Sequence, residues 1–161
     1  LSVNFGIWWD GDLLRELLDH ETVSKYNWTE KTIDTVQRFE GRFNNSTKSN
    51  PCLSADILGD WREEVIVRND DSSELRIYVT PFPTDYRMNC LMLDIPYRIS
   101  VATQNVGYNQ PSEPGFYIGP DRKDYLDKPS KKFLAILLSL LSLILQLTAY
   151  HGLISNKFRS V

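Results

Sequence analysis

The sequence predicts an all-β body followed by a C-terminal apolar helix candidate, and three observations predict it. Short β-branched runs alternate along the body, separated by polar turn clusters. Two acidic loops repeat. One uncharged run, 133–150, stands apart near the C-terminus. The repeat points to the architecture: Trp8-Trp9-Asp10-Gly11-Asp12-Leu13-Leu14-Arg15-Glu16 aligns with Asp56-Ile57-Leu58-Gly59-Asp60-Trp61-Arg62-Glu63-Glu64. Gly, Asp and Glu match at a constant offset of 48 residues. A period near that length belongs to β-propeller blades, four-stranded sheets that cannot bury their faces alone.

In chain order, Leu13, Leu14, Leu17 and Leu18 recur at helical spacing. By itself DLLRELLD reads as an amphipathic helix. The repeat overrides that reading and makes the segment a loop entering a strand. Thr32–Phe39, Glu64–Arg68 and Leu75–Thr80 read as strands, and Asn69–Ser73 between the last two is a hairpin signal. The body is assigned to 1–119 and a polar linker to 120–132. Residues 133–150 are a candidate transmembrane or buried apolar helix, and 151–161 a tail. The 18 uncharged residues of 133–150 lie between Lys131-Lys132 and Lys157. That length is at the lower edge for a membrane span. Gln146 and three hydroxyl residues dilute the run, so both readings stay open.

A length of 161 residues suits about one domain, and two cysteines cannot make a disulfide framework. Cys52 and Cys90 are expected to be free, buried thiols. His20 and His151 have no ligand-like neighbours and read as surface residues. Four of the 18 basic residues and none of the 21 acidic ones lie in 131–161, so 1–130 carries a net −7. Such a body lacks the basic footprint that nucleic acid requires, and suits a cation better. The chain begins with Leu and shows no signal-peptide pattern, as expected of a segment within a longer protein.

The acidic loops are candidate Ca²⁺ sites. Asp56, Asp60 and Glu64 place carboxylates at positions 1, 5 and 9 of the second loop, the Arg62 carbonyl can join them, and Gly59 permits the sharp turn. The first loop offers Asp10, Asp12 and Glu16 at positions 3, 5 and 9, with the Leu14 carbonyl equivalent to that of Arg62. Ca²⁺ takes six to eight hard oxygens in flexible geometry, and such loops supply much of that set. Each copy lacks one carboxylate: Trp8 stands at position 1 of the first, Leu58 at position 3 of the second. The same residues also describe a solvated acidic turn.

The second loop is similar to the FG-GAP-type calcium loops of propellers. A longer set of strings is more specific: FGIWWDGDLLRELLD (5–19), NNSTKSNP (44–51), SADILGDWREEVIVR (54–68), LRIYVTPFPT (75–84), PYRISVATQNVGYNQP (96–111) and GFYIG (115–119). Together they resemble the rhamnogalacturonan lyases of polysaccharide lyase family 11, over roughly residues 3–119. The resemblance implies about the last two blades of an eight-bladed, calcium-bearing propeller. The enzyme is expected to be secreted or held at the cell surface or in the periplasm, and to act on the pectin backbone rhamnogalacturonan I. The missing N-terminal blades would be this segment's partner, and 133–150 a membrane contact. Calcium would be structural, with a bridging role toward substrate also open.

The implied reaction is β-elimination at the rhamnose–galacturonate bond, leaving a 4,5-unsaturated uronate. A base takes the C5 proton, a cation stabilises charge on the carboxylate, and O4 departs. In the family a Lys in an Asn-x-Thr-Lys loop and a Tyr in a Gln-Asn-Val-x-Tyr-Asn-Gln-Pro segment line the cleft. The matching residues are Lys48, after Asn45-Ser46-Thr47, and Tyr108, between Asn105 and Asn109. Lys48 and Tyr108 are the expected catalytic pair; Asn45, Ser46, Thr47, Asn105 and Asn109 are expected to bind sugar. Leu93 departs from the family, which commonly has His before Asp. The alternative class is a non-catalytic calcium-binding segment that holds pectin or a partner at a membrane.

Overall fold

Two antiparallel meanders follow from the alternating runs. The computed structural model describes residues 4–106 and 110–121. The first sheet has four strands in chain order: β1 Phe5–Ile7, β2 Glu16–Asp19, β3 Thr22–Asn27 and β4 Thr32–Arg38. The second has three: β5 Leu53–Ala55, β6 Glu64–Arg68 and β7 Leu75–Tyr78. Phe5, Leu18 and Val23 stand opposite one another across β1, β2 and β3, so period-two alternation puts all three on one buried face. In the second sheet Val65 and Val67 turn to the same core, which also takes Ile7, Trp9 and Phe39. A bulge at Val23/Ser24 leaves Val36 as the extra residue of β4, and it packs against that core.

A second core forms from Trp8, Leu13, Trp61, Leu91, Tyr97 and Ile118. The consecutive tryptophans are therefore divided: extended backbone sends Trp9 to one core and Trp8 to the other. The wall of this second core includes α1, Ile95–Thr103, a helix not expected from the sequence. Its start is ordinary chemistry. Asp94 caps it by accepting the Tyr97 N–H at 3.1 Å, and Pro96 fits the first turn. Leu13 is buried, Leu14 exposed, and Leu17 and Leu18 alternate on β2, so the helical spacing of DLLRELLD is overruled. The strands at Thr32, Glu64 and Leu75 begin where expected, and the Asn69–Ser73 turn joins β6 to β7. Cys52 and Cys90 are free, though half-buried rather than buried.

The described residues are thus mostly β-sheet with one short helix. Among them, no helix is long and apolar enough to cross a membrane. The apolar run 133–150, the tail 151–161 with His151, and most of the linker lie outside the described residues.

Tyr97 ties the two halves of this framework together. Its side chain is fully buried; the hydroxyl donates to Glu63 Oε1 at 2.7 Å and accepts the Asp56 N–H at 2.9 Å. Burial and the adjacent Glu63 carboxylate push the phenol pKa up, so it remains a donor. Tyr97→Phe keeps the ring but strands a buried N–H and a buried carboxylate oxygen. The expected loss is about 2–4 kcal/mol of unfolding free energy by denaturant titration. A loss below about 0.5 kcal/mol would mean that water replaces the hydroxyl.

Candidate functional site

The two acidic loops fold by one plan. In the first, Glu16 Oε2 accepts the N–H groups of Trp9 (2.8 Å) and Asp10 (3.0 Å), and Asp12 Oδ1 accepts that of Leu14 (2.7 Å). In the second, Glu64 Oε2 accepts Ile57 N–H (2.7 Å) and Leu58 N–H (2.9 Å), and Asp60 Oδ1 accepts Arg62 N–H (3.1 Å). Donors and acceptors correspond at an offset of 48 residues, so the sequence repeat is a repeat of hydrogen bonds. Gly11 and Gly59 take φ of 89° and 82° at equivalent points of the turn. At Gly11 a Cβ would also lie 2.7 Å from the Pro83 carbonyl oxygen.

The loops differ in what faces their carboxylates. In the first, Asp10, Asp12 and Glu16 bring one oxygen each to within 4.8 Å of the others. Lys25 Nζ stands among them, bonded to Asp10, to Asp12 at 2.6 Å and to Glu16 Oε1 at 3.1 Å. Extending the β2–β3 register by one residue sets Lys25 opposite Glu16. Burial opposes the ammonium charge, but the surrounding carboxylates outweigh it and hold the lysine pKa up. In the second loop Asp56 accepts three backbone N–H groups, from Gly59, Trp61 and Leu91. Arg62, its side chain only 14% exposed, pairs with Asp60. Glu64 Oε1 is buried and has no hydrogen-bond partner among the described residues. Burial raises the Glu64 pKa, against the pull of two backbone N–H groups.

The second candidate region surrounds Lys48. Ser46–Lys48 form a single 3₁₀ turn, and Asn44 and Asn50 close the loop with two backbone bonds of 2.7 and 3.0 Å. Asn45, Ser46 and Ser49 all take left-handed φ, 60°, 50° and 48°, a conformation that costs energy in non-glycine residues and gathers at functional loops. Asn45, Ser46, Thr47 and Lys48 are exposed on this turn, above buried Asn50. The segment after α1 is fastened nearby. Gln104 acts as a strand edge for β5: its Oε1 accepts Ser54 N–H at 2.7 Å and its Nε2 donates to Ser54 O at 2.8 Å. Asn105 Nδ2 donates to Cys52 O at 2.7 Å. Both tethers reach the strand that follows the Lys48 turn. Tyr108 and Asn109 lie outside the described residues. Leu93 is exposed beside α1, at a shallow pocket that Met88, Asn89, Cys90, Asp94 and Phe116 also line.

Sequence reasoning missed Lys25, Gln104 and the Glu63–Tyr97 pair. Lys25 carried no local signal, since it lies on β3 and only the β2–β3 pairing brings it to the loop before β2. Gln104 carried none, since only the fold brings it to Ser54.

The description "Rhamnogalacturonan lyase family 11, C-terminal domain" matches residues 1–129. The chain is 50% identical over 119 residues to the rhamnogalacturonan endolyase YesW of Bacillus subtilis, covering 73% of this chain and 19% of that protein. To the exolyase YesX of the same organism it is 46% identical over 144 residues, covering 84% and 23%. Among solved structures, a Bacillus licheniformis rhamnogalacturonan lyase of family PL11 superposes with a TM-score of 0.70 at 55% identity, over 73% of this chain and 20% of that one. The YesW crystal structure gives 0.72 at 47% identity, over 80% and 22%. The chain therefore spans about a fifth of the length of these relatives.

The Glu64 environment makes a pH-dependent prediction. A carboxyl whose folded-state pKa lies above its unfolded value stabilises the fold fully at acid pH, and that stability is lost as pH rises through the folded pKa. In chelator, the stability of Glu64→Gln relative to the unsubstituted chain should therefore rise as pH increases above the ordinary glutamate value of 4.5. Denaturant unfolding at stepped pH reads this; a pH-independent difference would place Glu64 in an ordinary solvated setting.

Proposed function

The chain belongs to rhamnogalacturonan lyase family 11, and from that premise we propose that it forms the last sheets of a propeller enzyme that cleaves rhamnogalacturonan I by β-elimination. The observation that carries this reading is the Lys48 turn. It is exposed, strained and closed by backbone bonds, and the segment leading to Tyr108 is tethered to the adjacent strand. A rigid mount of this kind suits groups that must meet developing charge without reorganising.

In the proposed reaction Lys48 faces the galacturonate carboxylate. The C5 proton is weakly acidic because its neighbour is already an anion, so a cation at that carboxylate lowers the barrier to the enolate-like transition state. Tyr108 serves as proton acceptor at C5 or donor at O4; the C4–O4 bond breaks as the C4=C5 double bond forms, and O4 leaves on the rhamnose and takes up a proton. Exposed Asn45, Ser46, Thr47 and Asn105, with Asn109, offer hydrogen bonds to sugar hydroxyls. The rest of the cleft belongs to the other four-fifths of an enzyme of the relatives' length. A polymer substrate of the cell wall places such an enzyme outside the cytoplasm.

We assign calcium to the second acidic loop on one oxygen, although among the described residues only Asp10, Asp12 and Glu16 of the first loop bring three carboxylate oxygens within 4.8 Å of one another. Glu64 Oε1 is a buried anionic oxygen in need of a positive partner, and Asp60 and the Arg62 carbonyl lie on the same loop. Asp56, committed to three N–H donors, shapes the loop. When bound, the ion supplies charge compensation and ties the loop to β6; the elimination itself is assigned to Lys48 and Tyr108.

The test joins this chain to the N-terminal remainder of a family enzyme, in place of that enzyme's own C-terminal domain, and follows the ultraviolet absorbance of the unsaturated uronate. Lys48→Ala should lower kcat by about 10²–10³. Tyr108→Phe should lower kcat by about 10²–10⁴ with KM little changed. Full activity of both variants would remove the two residues from the mechanism.

A further inference from the structure

The first acidic loop places three carboxylates at ligand spacing, as the second does, yet its geometry is that of a loop already supplied with a cation. An ammonium has three N–H donors, and Lys25 directs hydrogen bonds to three different carboxylates, those of Asp10, Asp12 and Glu16. Glu16 is buried, and its Oε1 is satisfied by that lysine. The equivalent oxygen of the second loop, Glu64 Oε1, is also buried and has no partner among the described residues. Extending the β6–β7 register by one residue sets the exposed Val79 opposite Glu64, where the first sheet has Lys25. The second loop therefore has neither the lysine nor a carboxylate at position 3, where Leu58 stands.

We infer that the Lys25 ammonium is the resident cation of the first loop, which for that reason takes no Ca²⁺, while divalent binding is confined to the second. The donor set of the first loop does not fit an added ion, because each of its three carboxylates already faces the lysine. Entry of Ca²⁺ would eject a half-buried ammonium from three charge-assisted bonds. The consequence is a division of labour between the two sheets. The four-stranded sheet closes its loop with a covalently attached charge and is independent of calcium. The three-stranded sheet depends on calcium supply. The assignment of calcium to the second loop rests on the function proposed above; the assignment of Lys25 does not.

Calcium stoichiometry and backbone hydrogen exchange on the full chain test this. Lys25→Met should bind one more Ca²⁺ per chain than the unsubstituted protein, and adding Glu16→Gln to it should abolish the gain. Glu16→Gln alone should leave stoichiometry unchanged. In chelator, the amides of Ile57, Leu58 and Arg62 should lose protection while those of Trp9, Asp10 and Leu14 keep it. Lys25→Met should make the latter three chelator-sensitive as well. The inference is overturned if Glu16→Gln alone removes an ion, if Lys25→Met gains none, or if chelator deprotects the first loop of the unsubstituted chain. Should Lys25→Met not fold, the Glu16→Gln stoichiometry and the exchange of the unsubstituted chain still decide. A chain that binds no calcium, but gains one ion with Lys25→Met, would refute only the calcium reading of the second loop.

Discussion

A buried glutamate at the start of the second strand holds each sheet to its loop. Glu16 opens β2 and Glu64 opens β6, and each collects two consecutive backbone N–H groups from the far end of its loop. That single carboxylate closes a nine-residue turn and satisfies donors that would otherwise be buried without partners. The same burial makes it expensive, because an ion taken out of water loses several kcal/mol that only a close positive charge restores. Everything around the loops can be read as an answer to that cost. Lys25 offsets part of it in the first sheet, where burial still lifts the Glu16 pKa to about 7. The second sheet offers Arg62, paired with Asp60, and among the described residues leaves Glu64 Oε1 without a partner.

The loops are anchored as well as closed. Trp9 packs edge-on against Phe39, centroids 5.3 Å apart, while Trp8 lies beneath the Arg15 guanidinium at 4.2 Å. The carbonyls of the same two residues are fixed by Thr80 Oγ1 at 2.6 Å and Glu63 N–H at 3.0 Å. A loop held from both sides in this way can carry a charged group without collapsing onto it. Rigid mounting recurs at the Lys48 turn, where paired backbone bonds between Asn44 and Asn50 hold three left-handed residues in place.

Much of the framework was legible in the sequence because it is local. Alternation and turn chemistry placed the strands starting at Thr32, Glu64 and Leu75, and the offset of 48 residues, read as repeated ligand spacing, also repeats in the loops' hydrogen bonds. The leucines of 13–18 resembled a helix only because a loop followed by alternating strand residues happens to share that spacing. The short helix α1 was missed although Asp94 and Pro96 are a readable start signal; it lay inside a string read for its family likeness. The lysine beside the carboxylates was illegible for a different reason. Lys25 is nine residues from Glu16 and reaches it only through the β2–β3 register, which depends on where the intervening turn falls. Gln104 is farther still, 50 residues from the strand whose edge it completes.

The second sheet explains why this segment reads as one part of a larger assembly. Val65 and Val67 are fully buried on its inner face. On the outer face Leu53, Ile66 and Ile77 line up across β5, β6 and β7, with Leu75 beside them. Ile77 is 57% and Leu75 67% exposed. A contiguous aliphatic row on a sheet face is unusual for a surface meant for water and suits a covering layer. The sheet also has three strands where its repeat partner has four, so among the described residues no strand pairs with the outer edge of β7. In the proposed propeller both features would have one solution, a neighbouring sheet over the aliphatic face and a strand from elsewhere in the enzyme at the edge. The loop proposed to take calcium then lies in the three-stranded sheet, and the lysine-closed loop in the four-stranded one.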